Sequence, residues 1–130
     1  MPGTRRQILL IEEDPTLADI TSFRLELLGY EVAVLHSAED ARNWLADQLP
    51  DLVIVGHFLP AMDGMELLNV LSNDVRTSEI PAMLLSPESD LDDVQKAFNA
   101  GAEDYLVTPF DPQMLEQKVD KLVGRYEDLS

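Results

Sequence analysis

Five short apolar runs, each followed by a longer segment with apolar residues at helical spacing, constrain this chain more than any other feature. The runs are residues 7–11, 31–35, 52–55, 81–85 and 105–107. Between them lie helix signals. Asp14-Pro15 and Asp111-Pro112 each pair an N-cap carboxylate with a proline suited to the first helical position. Ser37 with Asp40 three residues on reads as a capping box, and Gly29 and Gly101 are stop signals. The inner faces are predicted as Leu17, Ile20, Leu27 and Leu28 on the first helix, and Ala41, Trp44 and Leu45 on the second. The third helix is placed at 65–71. Leu91, Val94 and Phe98 form the stripe of the fourth, and Leu115, Val119, Leu122 and Tyr126 that of the last. Near-continuous apolar strands alternating with helices predict an α/β fold whose parallel sheet is covered on both faces. With right-handed crossovers the expectation is a doubly wound, flavodoxin-like sheet of five strands in order 2-1-3-4-5.

Charge excludes some functions. Nine Lys and Arg stand against 25 Asp and Glu, a net charge of −16. Binding phosphates needs a basic face, so neither nucleic acid nor an anionic membrane surface is an expected partner of this domain. There is no cysteine, hence no disulfide framework and no cysteine-based zinc site. No apolar stretch reaches the length of a membrane span, and Arg5-Arg6 has no signal-peptide core behind it. The expectation is one cytoplasmic domain over residues 1–130, with its core at about 7–127.

In an open α/β sheet, function collects at the carboxyl ends of the strands. Here those ends carry Glu12-Glu13-Asp14, then Gly56 four residues before Pro60, then Ser86, then Thr108-Pro109-Phe110. Together with Leu59-Pro60-Ala61-Met62-Asp63-Gly64, the run 80–86 and the run 100–110, in that order and at those intervals, this constellation resembles the receiver domain of bacterial response regulators. The likeness covers essentially the whole chain.

The resemblance implies a set of roles, and the sequence departs from two of them. The family's phosphoacceptor aspartate falls at Gly56, which has no side chain to serve as nucleophile or ligand. The family's lysine before the strand-five proline falls at Thr108. Either partner left alone would be an uncompensated buried charge, costing about 3–5 kcal/mol; losing both removes that conflict. The family's Mg²⁺ site would map to Glu12, Glu13 and the backbone carbonyl of Phe58. With one carboxylate missing and each glutamate a methylene longer than the usual aspartate, Mg²⁺ is expected to bind weakly, and no cofactor is required. Ser86 and Tyr105 take the switch positions, although a strand-ending serine and a packed tyrosine with a wet hydroxyl need no function. Asp63 is expected to cap the third helix. His57 is expected to be a loop histidine turned away from position 56. The resemblance also implies a cis Thr108-Pro109 bond.

The reading that follows is a two-component receiver module, not an enzyme, that has lost phosphoryl chemistry and acts through protein contact. Its partner would be a sensor kinase, an output protein or a second copy. The face formed by helix four, strand five and helix five would carry the contact. There Gln95, Lys96, Asn99, Gln117, Lys121 and Arg125 point outward beside Tyr105. Two alternatives stand beside it. One is a receiver still switched by phosphate through another residue. The other is a flavodoxin-like ligand-binding or enzyme domain, which the anionic loop 12–16 opposes because it would repel phosphates.

Overall fold

The computed structural model describes residues 5–128, with side chains described through Gly124. Five strands, β1 (Gln7–Ile11), β2 (Glu31–Leu35), β3 (Leu52–Gly56), β4 (Ala82–Ser86) and β5 (Asp104–Val107), alternate with five helices. These are α1 (Pro15–Leu27), α2 (Ala38–Leu45), α3 (Gly64–Asn73), α4 (Leu91–Ala100) and α5 (Pro112–Asp128). All strand pairs are parallel, in the order β2-β1-β3-β4-β5. This is the expected flavodoxin-like, doubly wound α/β arrangement. The bounds shift only at the ends: α3 runs longer than 65–71, and β4 begins one residue later and includes Ser86.

The two-residue period of the strands sorts the core into two layers. Leu9, Ile11, Val53, Val55 and Leu84 face α2, α3 and α4, whereas Ile8, Leu10, Ile54, Met83 and Leu85 face α1 and α5. The central strands β1, β3 and β4 are thus apolar on both sides. Each fully buried aliphatic side chain there contributes about 1.5–3 kcal/mol.

Local chemistry sets the helix starts. The side chain of Asp14 accepts from the amides of Thr16 and Leu17, and Ser37 accepts from the Asp40 amide. Asp63 caps α3 through the Met65 amide, and Asp111 accepts from the Gln113 amide before Pro112 opens α5. Gly101 closes α4, and the Thr108-Pro109 bond is cis, both as expected.

The inner faces of two helices differ from expectation. On α1 the buried residues are Ala18, Thr21 and Leu25, with Leu17 half-buried, whereas Ile20, Phe23, Leu27 and Leu28 are exposed. At 3.6 residues per turn, Ile20, Phe23 and Leu27 lie within an arc of about 60° on the far side from that buried set. Both faces of α1 therefore carry apolar residues, and the face with Ala18, Thr21 and Leu25 meets the sheet. On α4, Ala97 is the buried residue and Val94 is half-buried; Leu91 is 83% exposed and Phe98 also faces outward. A small alanine lets the helix backbone approach α3, and this rotates the bulky residues out. Leu115, Val119 and Leu122 pack inward on α5 as expected, joined by Val123; the side chains of Arg125 and Tyr126 lie outside those described. Among the described residues no helix is long and apolar enough to cross a membrane.

The loop from β3 to α3 folds back onto the strand it leaves. The Gly64 amide donates to the His57 carbonyl at 2.8 Å, and a Cβ at Gly64 would stand 2.1 Å from the Gly56 carbonyl oxygen. Only glycine permits that approach. Within the loop, the Met62 amide donates to the Pro60 carbonyl at 2.7 Å around Ala61, whose φ is +66°. This is a γ-turn of the rare positive-φ kind on a residue that has a Cβ.

Candidate functional site

The carboxyl ends of β1, β3, β4 and β5 bring Glu12, Gly56, His57, Ser86 and Thr108 to one edge of the sheet. Register places Gly56 beside Leu85 and Ser86 beside Val107. Gly56, 44 residues from Glu12 in sequence, is its neighbour in space. A Cβ built on Gly56 would lie 2.6 Å from Glu12 Oε1, 3.2 Å from its Cδ and 3.1 Å from the Ile11 carbonyl. The glutamate carboxylate thus fills the volume that a side chain at position 56 would need. Its other oxygen, Oε2, accepts from the Asp14 amide at 2.9 Å. Glu12 is buried, and its backbone is fixed from both sides by the Leu35 carbonyl and the His36 ring.

Burial raises the Glu12 carboxyl above the ordinary carboxylate range, helped by Asp14 and Glu13 and opposed by the Asp14 amide. Thr108, half-buried at the end of β5, is neutral, and its amide donates to the Ser86 carbonyl.

These residues do not fit the implied metal. Mg²⁺ needs near-octahedral oxygen ligands at about 2.0–2.1 Å. Glu12 is turned back onto the Asp14 amide, and Glu13 is exposed. Among the described residues no group of three or more His, Cys, Asp or Glu is placed to hold a metal ion. Phe58, the expected carbonyl ligand, has an exposed ring that stacks on His57 with centroids 4.2 Å apart and planes at 11°.

His57 departs from the loop residue expected. It is buried, and its Nδ1 lies 2.7 Å from Ser86 Oγ. The Ser86 hydroxyl accepts from the Glu88 amide at 3.0 Å, so its own proton is available to Nδ1. Nε2 stands 3.9 Å from Asp63 Oδ1. Serine, histidine and aspartate in that order suggest an activated nucleophile. However, Ser86 is completely buried, and Asp63 Oδ1 already caps the Met65 amide. The constellation ties the ends of β3 and β4 together. Tyr105 continues it. It is buried, its hydroxyl donates to the Glu88 carbonyl at 2.7 Å instead of being wet, and burial pushes its pKa above the ordinary tyrosine value. Both polar groups of Glu88's backbone are therefore held, one by Ser86 and one by Tyr105.

On the α4–β5–α5 face, Gln95, Lys96, Asn99, Gln117 and Lys121 are exposed, as expected, and Leu91 and Val107 join them. Sequence reading missed Lys118, whose ammonium pairs with Asp104 at 2.8 Å. The signal available was an inward-leaning lysine one residue before Val119.

The raised Glu12 pKa fixes the sign of a pH effect. The folded state holds this proton over a window in which the unfolded chain has lost it, so stability falls as pH rises from about 4.3 towards the folded value. Glu12→Gln keeps the acceptor for the Asp14 amide and removes the charge. By urea unfolding it is expected to be more stable than the parent at pH 7, with the difference vanishing below about pH 4. An unchanged or lower stability at pH 7 contradicts the assignment.

Comparison with known proteins identifies the family of this fold. Residues 8–120 match the model of the response regulator receiver domain. The chain is 33% identical over 119 residues to the DNA-binding dual master transcriptional regulator RpaA of Synechocystis, covering 92% of this chain and 49% of that protein. It is 33% identical over 128 residues to the DNA-binding response regulator MtrA of Mycolicibacterium smegmatis, covering 98% and 55%. The chain thus spans about half the length of these curated relatives. Among solved structures, a proposed response regulator from Chloroflexus aurantiacus superposes with a TM-score of 0.90 at 32% identity, covering 94% of this chain and 100% of that one. The receiver domain of a signal transduction histidine kinase from Syntrophus aciditrophicus gives 0.85 at 31%, covering 92% and 90%. The chain belongs to the response regulator receiver domain family, the receiving modules of two-component systems.

Proposed function

We propose that this receiver works without phosphoryl transfer, as a protein-contact module held in one arrangement. The observation that carries the reading is Glu12 over Gly56: the strand end offers no nucleophile, and a carboxylate occupies the place where one would stand. The neutral Thr108 supports it, since no cation waits there for a phosphoryl group. The bonds joining His57, Ser86, Glu88 and Tyr105 support the single arrangement, because each polar group that a switch would have to release is already paired. Metal binding has no role in this reading, and Mg²⁺ is held loosely if present. The relatives' DNA binding is not carried over, since a −16 chain lacks the basic face it requires.

Treatment with acetyl phosphate and Mg²⁺, followed by intact-mass and peptide analysis, is expected to leave the protein unmodified. Beryllofluoride is expected to leave the amide spectrum around residues 56 and 86 unchanged. An acyl phosphate near residue 56, or a phosphohistidine at His57, contradicts the proposal and favours a receiver switched through a substitute residue.

The contact face we assign is α4–β5–α5, where Lys96 and Lys121 flank the strand that carries Tyr105 on an otherwise acidic body. The exposed Ile20, Phe23 and Leu27 favour a second reading, with α1 as the docking helix. Lys96→Glu with Lys121→Glu is expected to abolish partner binding or self-association at an unchanged unfolding midpoint. If that pair binds normally and Phe23→Lys does not, the partner docks on α1.

A further inference from the structure

A cleft lies away from the strand edge, between α2, the γ-turn and the end of α3. Its volume of about 770 Å³ falls within the range of about 300–1,000 Å³ typical of small-molecule sites. The sequence opens this space by using small residues on α2: Ala38 and Ala46 line it where larger side chains would close it. The floor is apolar, built from Leu45, Leu71, Val70 and Met62.

Two of the nine basic residues of this acidic chain also line the cleft, Arg42 and Arg76. Arg76 is held in place, its Nη1 donating to the Leu45 carbonyl at 2.9 Å. Arg42 is exposed, and no carboxylate among the described residues lies within 4 Å of its guanidinium. An arginine left unpaired among 25 acidic residues, beside an apolar floor, matches an anion that arrives with its own apolar body. Two carboxylates also line the cleft, Glu39 and Asp74, the latter accepting from the Arg76 amide, and both oppose a second negative charge. The lip is formed by Ala61, the left-handed residue of the γ-turn. Backbone held in a sparsely populated conformation is over-represented at ligand clamps.

We propose that this cleft binds a small amphipathic monocarboxylate, its head group on Arg42 and Arg76 and its hydrocarbon on the floor between α2 and α3. Glu39 and Asp74 on the lining disfavour phosphates and dicarboxylates, and neutral lipids lose the arginine contacts. The site is separate from the Glu12–Gly56 edge, so it stands whether or not that edge has lost phosphoryl chemistry.

The test uses decanoate, decanol and decylamine as probes below their aggregation thresholds, with the single tryptophan, Trp44 on α2, as the fluorescence reporter. Amide shifts map the site. Decanoate is expected to bind saturably, with shifts confined to α2, residues 60–62 and residues 70–77, and about tenfold more tightly than decanol. Arg42→Ala is expected to remove that preference while leaving the unfolding midpoint unchanged, and Arg42→Lys to retain part of it. Equal binding of decanoate and decanol, retention of the preference in Arg42→Ala, shifts elsewhere, or no saturation overturns the proposal.

Discussion

The Glu12 carboxylate seated over Gly56 is the contact on which the functional edge depends. A glycine at the end of a buried central strand leaves room there, beside the Ile11 carbonyl. Glutamate reaches it from β1 because it is one methylene longer than aspartate, and the Asp14 amide supplies a hydrogen bond on arrival. Burying a carboxylate without a cation is costly, and the upward shift of its pKa is the expression of that cost. The neutral Thr108 is consistent with the same electrostatics. With no cation paired to the Glu12 carboxylate, protonation can discharge it, and no lysine is stranded at position 108.

The rest of the edge is built around paired polar groups. His57 and Ser86 join β3 to β4, Ser86 and Tyr105 grip the backbone of Glu88, and the cis Thr108-Pro109 bond follows directly on β5. A fully satisfied buried network favours one conformation over its neighbours, because each alternative leaves a donor or acceptor unmet. On the reading proposed above, a receiver built this way presents a constant surface, and its specificity rests on outer faces such as α4–β5–α5 or α1.

The fold was legible because its instructions are local. Asp14, Ser37, Asp63 and Asp111 each cap a helix through an amide two or three residues away, and alternating apolar runs leave few topologies. The faces of α1 and α4 were not legible. On α1 apolar residues lie all round, so periodicity cannot say which stripe meets the sheet; on α4 they lie on one side, but the stripe is broad and its Ala97 edge, not Phe98, turns inward. Packing selected Ala18, Thr21 and Leu25 over Ile20 and Phe23, and Ala97 over Phe98. That position 56 carries no side chain could be read directly from the sequence. Its complement could not: Glu12 looks like a lengthened metal ligand until the chain brings it against a residue 44 positions away. His57 likewise meets Ser86 across 29 residues, a pairing that only the β3–β4 register creates.

A double-mutant cycle on Glu12 and Gly56, read by urea unfolding, tests the coupling most directly. Gly56→Ala alone should destabilise the domain, because its Cβ displaces the buried carboxylate. In the Glu12→Ala background the same change should cost markedly less, giving a coupling energy of about 1 kcal/mol or more. Effects that add to within about 0.5 kcal/mol would mean that the two residues are independent, and that the carboxylate does not occupy the place of the missing side chain.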